Sequence, residues 1–368
     1  MSGRESAVRL WFLLASACSV AAYSDEPNRD RVWVYCSVAS EQSLDLLYLE
    51  PETGVVTKRS RLRTPGEPAA LAVTSDSRFL FASMRSTGKL CSFRIDPQSG
   101  TLDAVSVVDA GEDPAQITVD GTGKFLLTAY YVAAKVSVHR IAVDGSLSLE
   151  PVHEVSTLEK AHAIVPDATN RFVYAPHTGP NAIFQFGFSS ETGQLRHLQP
   201  DRIERPANTG PRHLSWHPKK AIAYVNNEQG NSVTSYRLSS DGQLSPVSTV
   251  SVLPDGYDGS NSTAEIQVHP SGRFLYVANR GHDSLAHVSL DTAGGEMKLV
   301  GNIATESVPR SFDIDPAGNW LLAAGEATGG LEVFRIEQET GALHSVGVTA
   351  IGPKLWWVLC VRAPQIER

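Results

Sequence analysis

The sequence predicts an all-β protein, a seven-bladed β-propeller that is closed by pairing of the N-terminal strands with the C-terminal strand. The main observation is an internal repeat, in which an apolar strand start is followed by a polar turn and a second apolar run. Successive apolar positions are between 46 (117 − 71) and 52 (266 − 214) residues apart, a spacing typical of propeller blades. The aligned positions are Leu71, Ile117, Ala163, Leu214, Ile266 and Phe312.

The two ends of the chain supply the seventh blade. The apolar stretch Leu355–Val361 has the pattern of an innermost strand, but too little chain follows it to complete a sheet. The N-terminal strands Val32–Cys36 and Leu44–Leu49 provide the missing partners, and closing the ring in this way seals the sheet edges. Because this pairing brings Cys36 near Cys360, we hypothesise a disulfide between them if the protein is exported.

The first 24 residues differ from the rest of the chain. Arg4 and Arg9 precede an apolar segment, and small residues follow it up to Ala22. This order predicts a signal peptide over residues 1–24, with the single propeller domain over residues 25–368. Cleavage would export the protein to the periplasm or the cell exterior. A mis-assigned start and an uncleaved tail are the alternatives.

Composition excludes several functional classes. The chain has 32 Lys and Arg against 40 Asp and Glu, a net charge of −8 that argues against nucleic-acid binding. No run of about 20 apolar residues follows the N-terminus, so we expect no transmembrane span. Cys36, Cys91 and Cys360 lack the spacing of metal ligands, and no motif suggests an organic cofactor. We therefore expect neither metal nor cofactor, and a monomer or weak dimer.

Polar and ionisable side chains recur at one end of the predicted blades. At 14 residues (85 − 71) after each aligned position lie Arg85, Tyr131, His177, Glu228, Arg280 and Glu326. Just before the aligned positions lie Gln116, His162, Arg212, His213, Glu265 and Arg310. Because the innermost strands of a propeller line its central channel, we expect both sets to gather around one mouth of that channel.

The clustered arginines predict an anion site. Arginine suits bidentate capture of carboxylate or phosphate, and grouped arginines make a locally positive surface on an acidic protein. Glu228 and His162 are candidates for proton transfer, and neighbouring arginines would keep Glu228 ionised. Taken alone, Arg212 and Glu228 are equally well explained as a surface ion pair. Recurrence at one radius of the ring favours a functional cluster.

The polar stretch Asp255–Ser262 is predicted to enter the same rim. Its simplest interpretation is a solvated linker. The alternatives are a lid over the mouth and, despite poor carboxylate spacing, a calcium loop.

Three segments carry a resemblance to a known family. The stretches Thr209–Glu228, Ala264–Arg280 and Pro309–Pro316 resemble the seven-bladed propeller lactonases. That family includes the propeller-type 6-phosphogluconolactonases and the fungal 3-carboxy-cis,cis-muconate lactonizing enzyme. The likeness extends from about Arg31 to Val361. By motif, the catalytic residues of the lactonizing branch fall on His162, Arg212, Glu228 and Arg280. Arg85 and Arg310 also lie where the phosphogluconolactonases of the family carry arginine, and Gln116 and Gln267 replace histidines that are common in it. We expect substrate contacts from Arg85 and Arg310 and, by their position at the rim, from His213, Gln116 and His177.

The resemblance implies hydrolysis of a small anionic sugar lactone, with 6-phosphogluconolactone as the expected substrate. Arginines would hold the anionic group and stabilise the oxyanion, and Glu228 or His162 would act as the general base. No Gly-x-Ser-x-Gly motif suggests a serine nucleophile. The alternatives are a carboxymuconate-type cycloisomerase and a non-catalytic, ligand-binding propeller. The family default is cytoplasmic if the N-terminus is not cleaved.

Overall fold

A computed structural model describes residues 31–291 and 295–364. These residues form seven four-stranded antiparallel sheets, so the predicted propeller is confirmed. The predicted signal peptide, residues 1–24, lies outside the described residues. Within the part of the chain that the structure describes, no helix is long and apolar enough to cross a membrane.

The blades follow one another along the chain, and the strands of each are given from the innermost outward. Blade 1 contains β28 (Leu355–Arg362), β1 (Val32–Val38), β2 (Ser43–Leu49) and β3 (Val56–Arg63). Blade 2 contains β4 (Pro68–Val73), β5 (Phe79–Met84), β6 (Lys89–Ile95) and β7 (Leu102–Asp109). Blade 3 contains β8 (Pro114–Val119), β9 (Phe125–Tyr130), β10 (Lys135–Arg140) and β11 (His153–Ser156).

The remaining four blades repeat this order without exception. Blade 4 contains β12 (Val165–Pro166), β13 (Phe172–His177), β14 (Ala182–Phe188) and β15 (Leu195–Glu204). Blade 5 contains β16 (Pro211–Trp216), β17 (Ile222–Asn227), β18 (Ser232–Leu238) and β19 (Leu244–Ser251). Blade 6 contains β20 (Thr263–Val268), β21 (Phe274–Asn279), β22 (Ser284–Leu290) and β23 (Met297–Ala304). Blade 7 contains β24 (Pro309–Ile314), β25 (Trp320–Gly325), β26 (Gly330–Ile336) and β27 (Leu343–Ala350).

The polar turn of the repeat is held by an acidic side chain in several blades. In blade 3, Asp120 accepts hydrogen bonds from the backbone N–H groups of Lys124 and Phe125, both at 2.9 Å. In blade 7, Asp315 accepts the backbone N–H of Trp320 at 2.7 Å. Such side-chain acceptors satisfy donors that the tight turn leaves unpaired. The turn fixes where the second strand starts, and therefore where it ends at the mouth.

Each innermost strand has one edge that no strand covers, and side chains from the preceding blade supply acceptors for it. The backbone N–H of Ile164 donates to Oε1 of Gln116 at 2.9 Å. The backbone N–H of Cys360 likewise donates to Oδ2 of Asp313 at 2.6 Å. Unpaired edge groups are costly when buried, so these bridges stabilise the wall of the channel.

The ring closes as the sequence predicts. Strand β1 pairs antiparallel with β28, and the backbone N–H of Ala363 donates to the carbonyl of Arg31 at 2.9 Å. The hypothesised disulfide is not formed, because Cys36 and Cys360 are both free thiols. The register explains this result, since Cys36 lies opposite Val358 rather than opposite Cys360.

The hydrophobic core is divided between neighbouring blades. One cluster packs Phe81 of blade 2 against Leu126 and Tyr130 of blade 3, and all three side chains are fully buried. Burial of one such side chain stabilises the fold by roughly 1.5–3 kcal/mol. Because every interface of this kind joins two blades, the packing holds the ring rigid around the channel mouth.

Candidate active site

The strand register shows which residues reach the mouth of the channel. In each blade one residue of the innermost strand, or of the segment leading into it, pairs with the last residue of the second strand. Examples are Pro211 with Asn227 and Pro309 with Gly325. A register shift follows immediately, and such bulges re-aim side chains. The large side chains that come directly after these pairs are His162, Arg212, Arg310 and Trp356.

Glu228 lies between two arginines from adjacent blades. It follows the end of β17, and Arg280 follows the end of β21. Nη2 of Arg280 donates to Oε1 of Glu228 at 2.6 Å, and Nε of Arg212 lies 3.5 Å from Oε2. Arg212 is 2% exposed, and its Nη1 donates to the backbone carbonyl of Ala264. The structure thus brings these three predicted residues together.

The charges of this group are set by burial and by mutual attraction. Burial alone would raise the pKa of Glu228, but Arg212 and Arg280 outweigh it and hold that pKa below its usual value. Burial, helped by Arg280, lowers the pKa of Arg212 to about 9. At neutral pH, Glu228 is therefore an anion between two cations.

Two histidines and a second glutamate lie beside this group. Nδ1 of His213 is 3.1 Å from Oε1 of Glu265, and Nε2 of His213 is 3.2 Å from Nδ1 of His162. Burial lowers the pKa of His213, and burial together with Arg212 lowers the pKa of His162 well below its usual value. Both imidazoles are therefore neutral at pH 7.

A second side of the mouth, built by blades 7, 1 and 2, carries the other two predicted arginines. Arg85 makes a two-fold ion pair with Asp113, with Nη2 at 2.7 Å from Oδ2. Arg310 lies 3.6 Å from Glu326, and its guanidinium carbon lies 5.2 Å from the ring centre of Trp356.

Trp356 and Asp113 are site residues that the sequence alone did not reveal. Nε1 of Trp356 donates to Glu326 at 2.9 Å, and Arg85 lies 6.0 Å from the ring centre. The indole therefore links both arginines of this side. A signal for Trp356 was present, because Trp356 follows Leu355 as Arg212 follows Pro211, and a register shift follows both pairs.

The structure corrects the prediction for His177. This residue pairs with Ala161 and is therefore equivalent to Asn227, one residue short of the mouth. It is completely buried, with Nδ1 2.8 Å from the carbonyl of Ala175 and Nε2 3.0 Å from Oγ1 of Thr157. Its ring nitrogens are engaged in the blade, so His177 does not contact a substrate.

Gln116 is also corrected. Its amide nitrogen donates to the carbonyl of Ile117 at 2.9 Å and to Oγ1 of Thr118 at 2.8 Å. Its amide oxygen accepts the backbone N–H of Ile164, as described above. Both ends of the side chain are therefore engaged in the channel wall.

The loop Asp255–Ser262 lies against Arg280. The backbone N–H of Arg280 donates to the carbonyl of Ser262 at 3.1 Å, and Tyr257 packs edge-on against His282 at 4.8 Å. The loop therefore reaches the mouth, where a lid function stays a prediction. Across residues 31–291 and 295–364, no group of three His, Cys, Asp or Glu side chains is placed to hold a metal ion.

A cavity of about 690 Å³ lies far from this chemistry. It is lined by Pro51, Trp320, Arg335 and His344, among others. Trp320 begins β25 and Glu326 follows its end, so the cavity is at the opposite end of the blade from the mouth. None of the predicted site residues lines it, and we place the site at the mouth.

Comparison with known proteins supports the assignment of a family. The family model described as "Lactonase, 7-bladed beta-propeller" matches residues 31–360. A 6-phosphogluconolactonase of Pectobacterium carotovorum is 32% identical over 314 residues, which is 85% of this chain and 80% of that protein. A 6-phosphogluconolactonase of Yersinia pestis is 31% identical over 326 residues, which is 88% of this chain and 96% of that protein.

Solved structures share the fold. The periplasmic gluconolactonase PpgL of Pseudomonas aeruginosa superposes with a TM-score of 0.84 at 24% identity, covering 91% of this chain and 100% of that one. A putative 6-phosphogluconolactonase of Bacteroides fragilis gives a TM-score of 0.82 at 24% identity, covering 91% and 98%. Together with the family model and the relatives above 30% identity, these findings show that the chain belongs to the seven-bladed β-propeller lactonase family.

Proposed function

We propose that the protein hydrolyses a sugar lactone, with 6-phosphogluconolactone as the substrate. The observation that carries this proposal is the meeting of Arg212, Glu228 and Arg280 beside the neutral His162 at the channel mouth. The relatives named 6-phosphogluconolactonase support the same substrate class. They do not favour the cycloisomerase alternative.

The arginines suit the charge that develops during ester hydrolysis. When water attacks the lactone carbonyl, its oxygen becomes an oxyanion that needs fixed donors. The Arg280 side chain is 16% exposed and opens to the mouth, whereas Arg212 is buried behind it. We assign Arg280 to contact the oxyanion and Arg212 to add positive charge from below.

The base is better assigned to His162 than to Glu228. Both oxygens of Glu228 face guanidinium groups, Oε1 that of Arg280 at 2.6 Å and Oε2 that of Arg212 at 3.5 Å, so the carboxylate is engaged as their partner. His162 is neutral at pH 7 and has a free electron pair on one nitrogen. In this mechanism Glu228 keeps the two arginines in position.

Arg85 and Arg310 are the candidates to hold the substrate's phosphate group. Both lie at the mouth on either side of Trp356, and the charges of Arg280 and Glu228 act on Arg310. Each is already paired with a carboxylate, Asp113 or Glu326, so a phosphate must compete with these partners. This side of the mouth therefore decides between a phosphorylated and an unphosphorylated lactone.

The proposal is tested by proton release from purified protein given 6-phosphogluconolactone or gluconolactone, with spontaneous hydrolysis subtracted. We expect turnover of the phosphorylated lactone, and a loss of about 10²–10³-fold in kcat on Arg280→Gln, as for removal of one oxyanion donor. The matched control is Arg273→Gln, an arginine of the same blade that is 46% exposed and far from the mouth. No turnover of either lactone would contradict the proposal.

We also propose that a single chain is active, because one chain supplies every residue described at the mouth.

We propose further that residues 1–24 direct export. The sequence pattern of a basic, apolar and small-residue region supports export. An exported enzyme would meet unphosphorylated sugar lactones, so the substrate test above bears on location as well. N-terminal sequencing of the mature protein would show the cleavage, and an intact Met1 would contradict it.

A further inference from the structure

Three buried titratable groups form a chain that ends at the mouth. Glu265 of blade 6 contacts His213 of blade 5, and His213 contacts His162, which precedes the first strand of blade 4. The exposures are 6%, 4% and 7% respectively, so water has little access to the contacts. The family resemblance implied a role for His162, whereas the position of His213 at the rim predicted only a substrate contact, and Glu265 was given no role.

Arg212 fixes the direction of every hydrogen bond in this chain. Its Nη1 lies 3.2 Å from Nε2 of His213, and a guanidinium can donate but never accept. Nε2 of His213 is therefore an acceptor, and the ring proton of His213 is on Nδ1, where it is donated to Glu265. The same acceptor faces Nδ1 of His162, so His162 also carries its proton on Nδ1.

We propose that Glu265 and His213 are positioning residues that hold His162 in its Nδ1-protonated tautomer, so that Nε2 of His162 is the base of the reaction. This inference rests on the proposed lactone hydrolysis. The water oxygen forms a bond to the carbonyl carbon while its proton passes to Nε2 of His162. The bond between the carbonyl carbon and the ring oxygen then breaks, and the ring oxygen takes the proton back from Nε2.

The surroundings of His162 explain why a distant carboxylate is needed. His162 faces an excess of positive groups, contributed by Arg212, Arg310 and Arg85, and its ring packs edge-on against Tyr131. An imidazolium at this place would be repelled by all three guanidinium groups. Glu265 raises the pKa of His213 against the effect of burial, and the hydrogen-bonded chain transmits part of this stabilisation to His162.

The kinetic test uses Glu265→Gln, which keeps the size of the side chain and removes its charge. We expect kcat to fall by about 10²-fold, the lower end of what a general base contributes, with KM little changed. The acid limb of the pH profile of kcat/KM should move to lower pH, because protonated His162 loses its carboxylate support. Glu265→Asp, which keeps the charge, should leave that limb near its wild-type position.

The matched control is Glu332→Gln. Glu332 is also a buried, hydrogen-bonded glutamate, accepting from Thr305 at 2.9 Å and Ser345 at 2.6 Å, but it lies on the third strand of blade 7. It should leave the acid limb unmoved. A loss of kcat on Glu265→Gln no greater than in this control, with an unmoved acid limb, would overturn the proposal.

A second measurement does not depend on activity or on a folded variant. The ¹⁵N chemical shifts of the imidazoles in the wild-type protein at pH 7 report which ring nitrogen carries the proton. We expect both His162 and His213 to be protonated on Nδ1. A proton on Nε2 of His162 would overturn the relay even if lactone is hydrolysed. Correct tautomers without lactone turnover would support the relay geometry and show that the proposed function had failed.

Discussion

Glu228 receives two guanidinium groups at the mouth, and this arrangement limits what each group can do. The carboxylate balances one of the two positive charges, so Arg212 stays protonated although it is almost fully buried. Arg280 is the more exposed of the two arginines, so its guanidinium is the one placed to meet the substrate. At the residue scale, Glu228 therefore both balances buried positive charge and orients the guanidinium that meets the substrate.

Glu228→Gln separates these two roles. Without the carboxylate the arginines lose their common anchor, and we expect kcat to fall by about 10–10²-fold as Arg280 leaves the oxyanion position. The same change adds a net positive charge, so inorganic phosphate should inhibit at least about tenfold more tightly, or ~1.4 kcal/mol. Steady-state kinetics with phosphate as inhibitor measures both.

Glu204→Gln is the matched control for Glu228→Gln. Glu204 pairs with Arg202 at 3.0 Å and its side chain is 73% exposed, so an ion pair is broken in solvent and not at the mouth. We expect kcat and phosphate inhibition to stay at wild-type values. Weaker phosphate binding together with an unchanged kcat in Glu228→Gln would contradict the assigned role.

The residues that the sequence placed at the mouth and the structure brings together belong to blades that keep the common repeat. Arg212, Glu228 and Arg280 lie on or directly after regular strands, so counting from the repeat places them at the mouth. Blade 4 is irregular, with only two residues in β12 and a positive φ of 63° at Lys160. The aligned position in blade 4 is therefore one residue off, and counting 14 residues from it leads to His177 although that residue lies one position short of the mouth.

At the scale of the strand, one blade departs from the common pattern. His139 on β10 pairs with Leu126, and the same register position holds Phe93, Phe186 and Phe334 in blades 2, 4 and 7. His139 is 1% exposed, and neither ring nitrogen makes a hydrogen bond to any described residue. A buried polar group without a partner destabilises the fold.

His139→Phe should therefore stabilise the protein, by about 1–3 kcal/mol at neutral pH. Burial lowers the pKa of His139 to about 4, so in mildly acidic solution His139 binds a proton in the unfolded chain but not in the folded one. Stability is thus lost as pH falls from about 6.5 towards 4, by up to roughly 3 kcal/mol for this residue. The substitution should reduce the loss of stability over this pH range. Urea unfolding at pH 7.5 and pH 5 measures the difference.

His344→Phe is the control, because it makes the same change at an exposed position. It should leave the pH dependence of unfolding unchanged. If His139→Phe lowered stability at pH 7.5, the position would be shown to need a polar ring, and the comparison with the other blades would fail.

Elements were predictable from the sequence to the extent that their contacts are local. The turn at Asp315 can be predicted from the repeat, because the hydrogen bonds that its side chain accepts reach no further along the chain than Trp320. The bridge from Asp313 to Cys360 joins residues 47 apart, on strands of different blades. That separation is close to one repeat, as it is for Gln116 and Ile164, but the repeat does not say which side chain bonds to which backbone group. The channel wall and the relay through Glu265 therefore required the folded structure.

For the whole molecule, the arrangement of the chain ends matters as much as the blades. The mouth combines side chains from blades 2, 4, 5, 6, 7 and 1, namely Arg85, His162, Glu228, Arg280, Arg310 and Trp356. Its geometry therefore depends on a closed ring. Closure comes from backbone hydrogen bonds between β1 and β28 inside blade 1, whereas blades 1 and 2 meet through side chains and contacts such as Ser37 with the carbonyl of Ala69 at 2.7 Å.

Two circular permutants would measure what this closure contributes. Both omit residues 1–30 and 365–368 and join Pro364 to Arg31 with the same linker. The linker can be short, because the backbones of Ala363 and Arg31 are hydrogen-bonded to each other. The first opens the chain between Pro65 and Gly66, so blade 1 becomes continuous and only side-chain packing closes the ring. The second opens it between Ser240 and Asp241, inside blade 5, where strands β18 and β19 still pair across the break.

We expect both permutants to fold and to keep the mouth, but with different stabilities. In the first, the ring can open without breaking any strand pair, and the gain in chain freedom favours opening by up to about 5 kcal/mol for a loop of this length. Its unfolding free energy in urea should therefore be lower than that of the second permutant by roughly 2–5 kcal/mol. Equal stabilities would show that side-chain packing between blades closes the ring by itself, and that pairing of β1 with β28 serves only to complete a sheet.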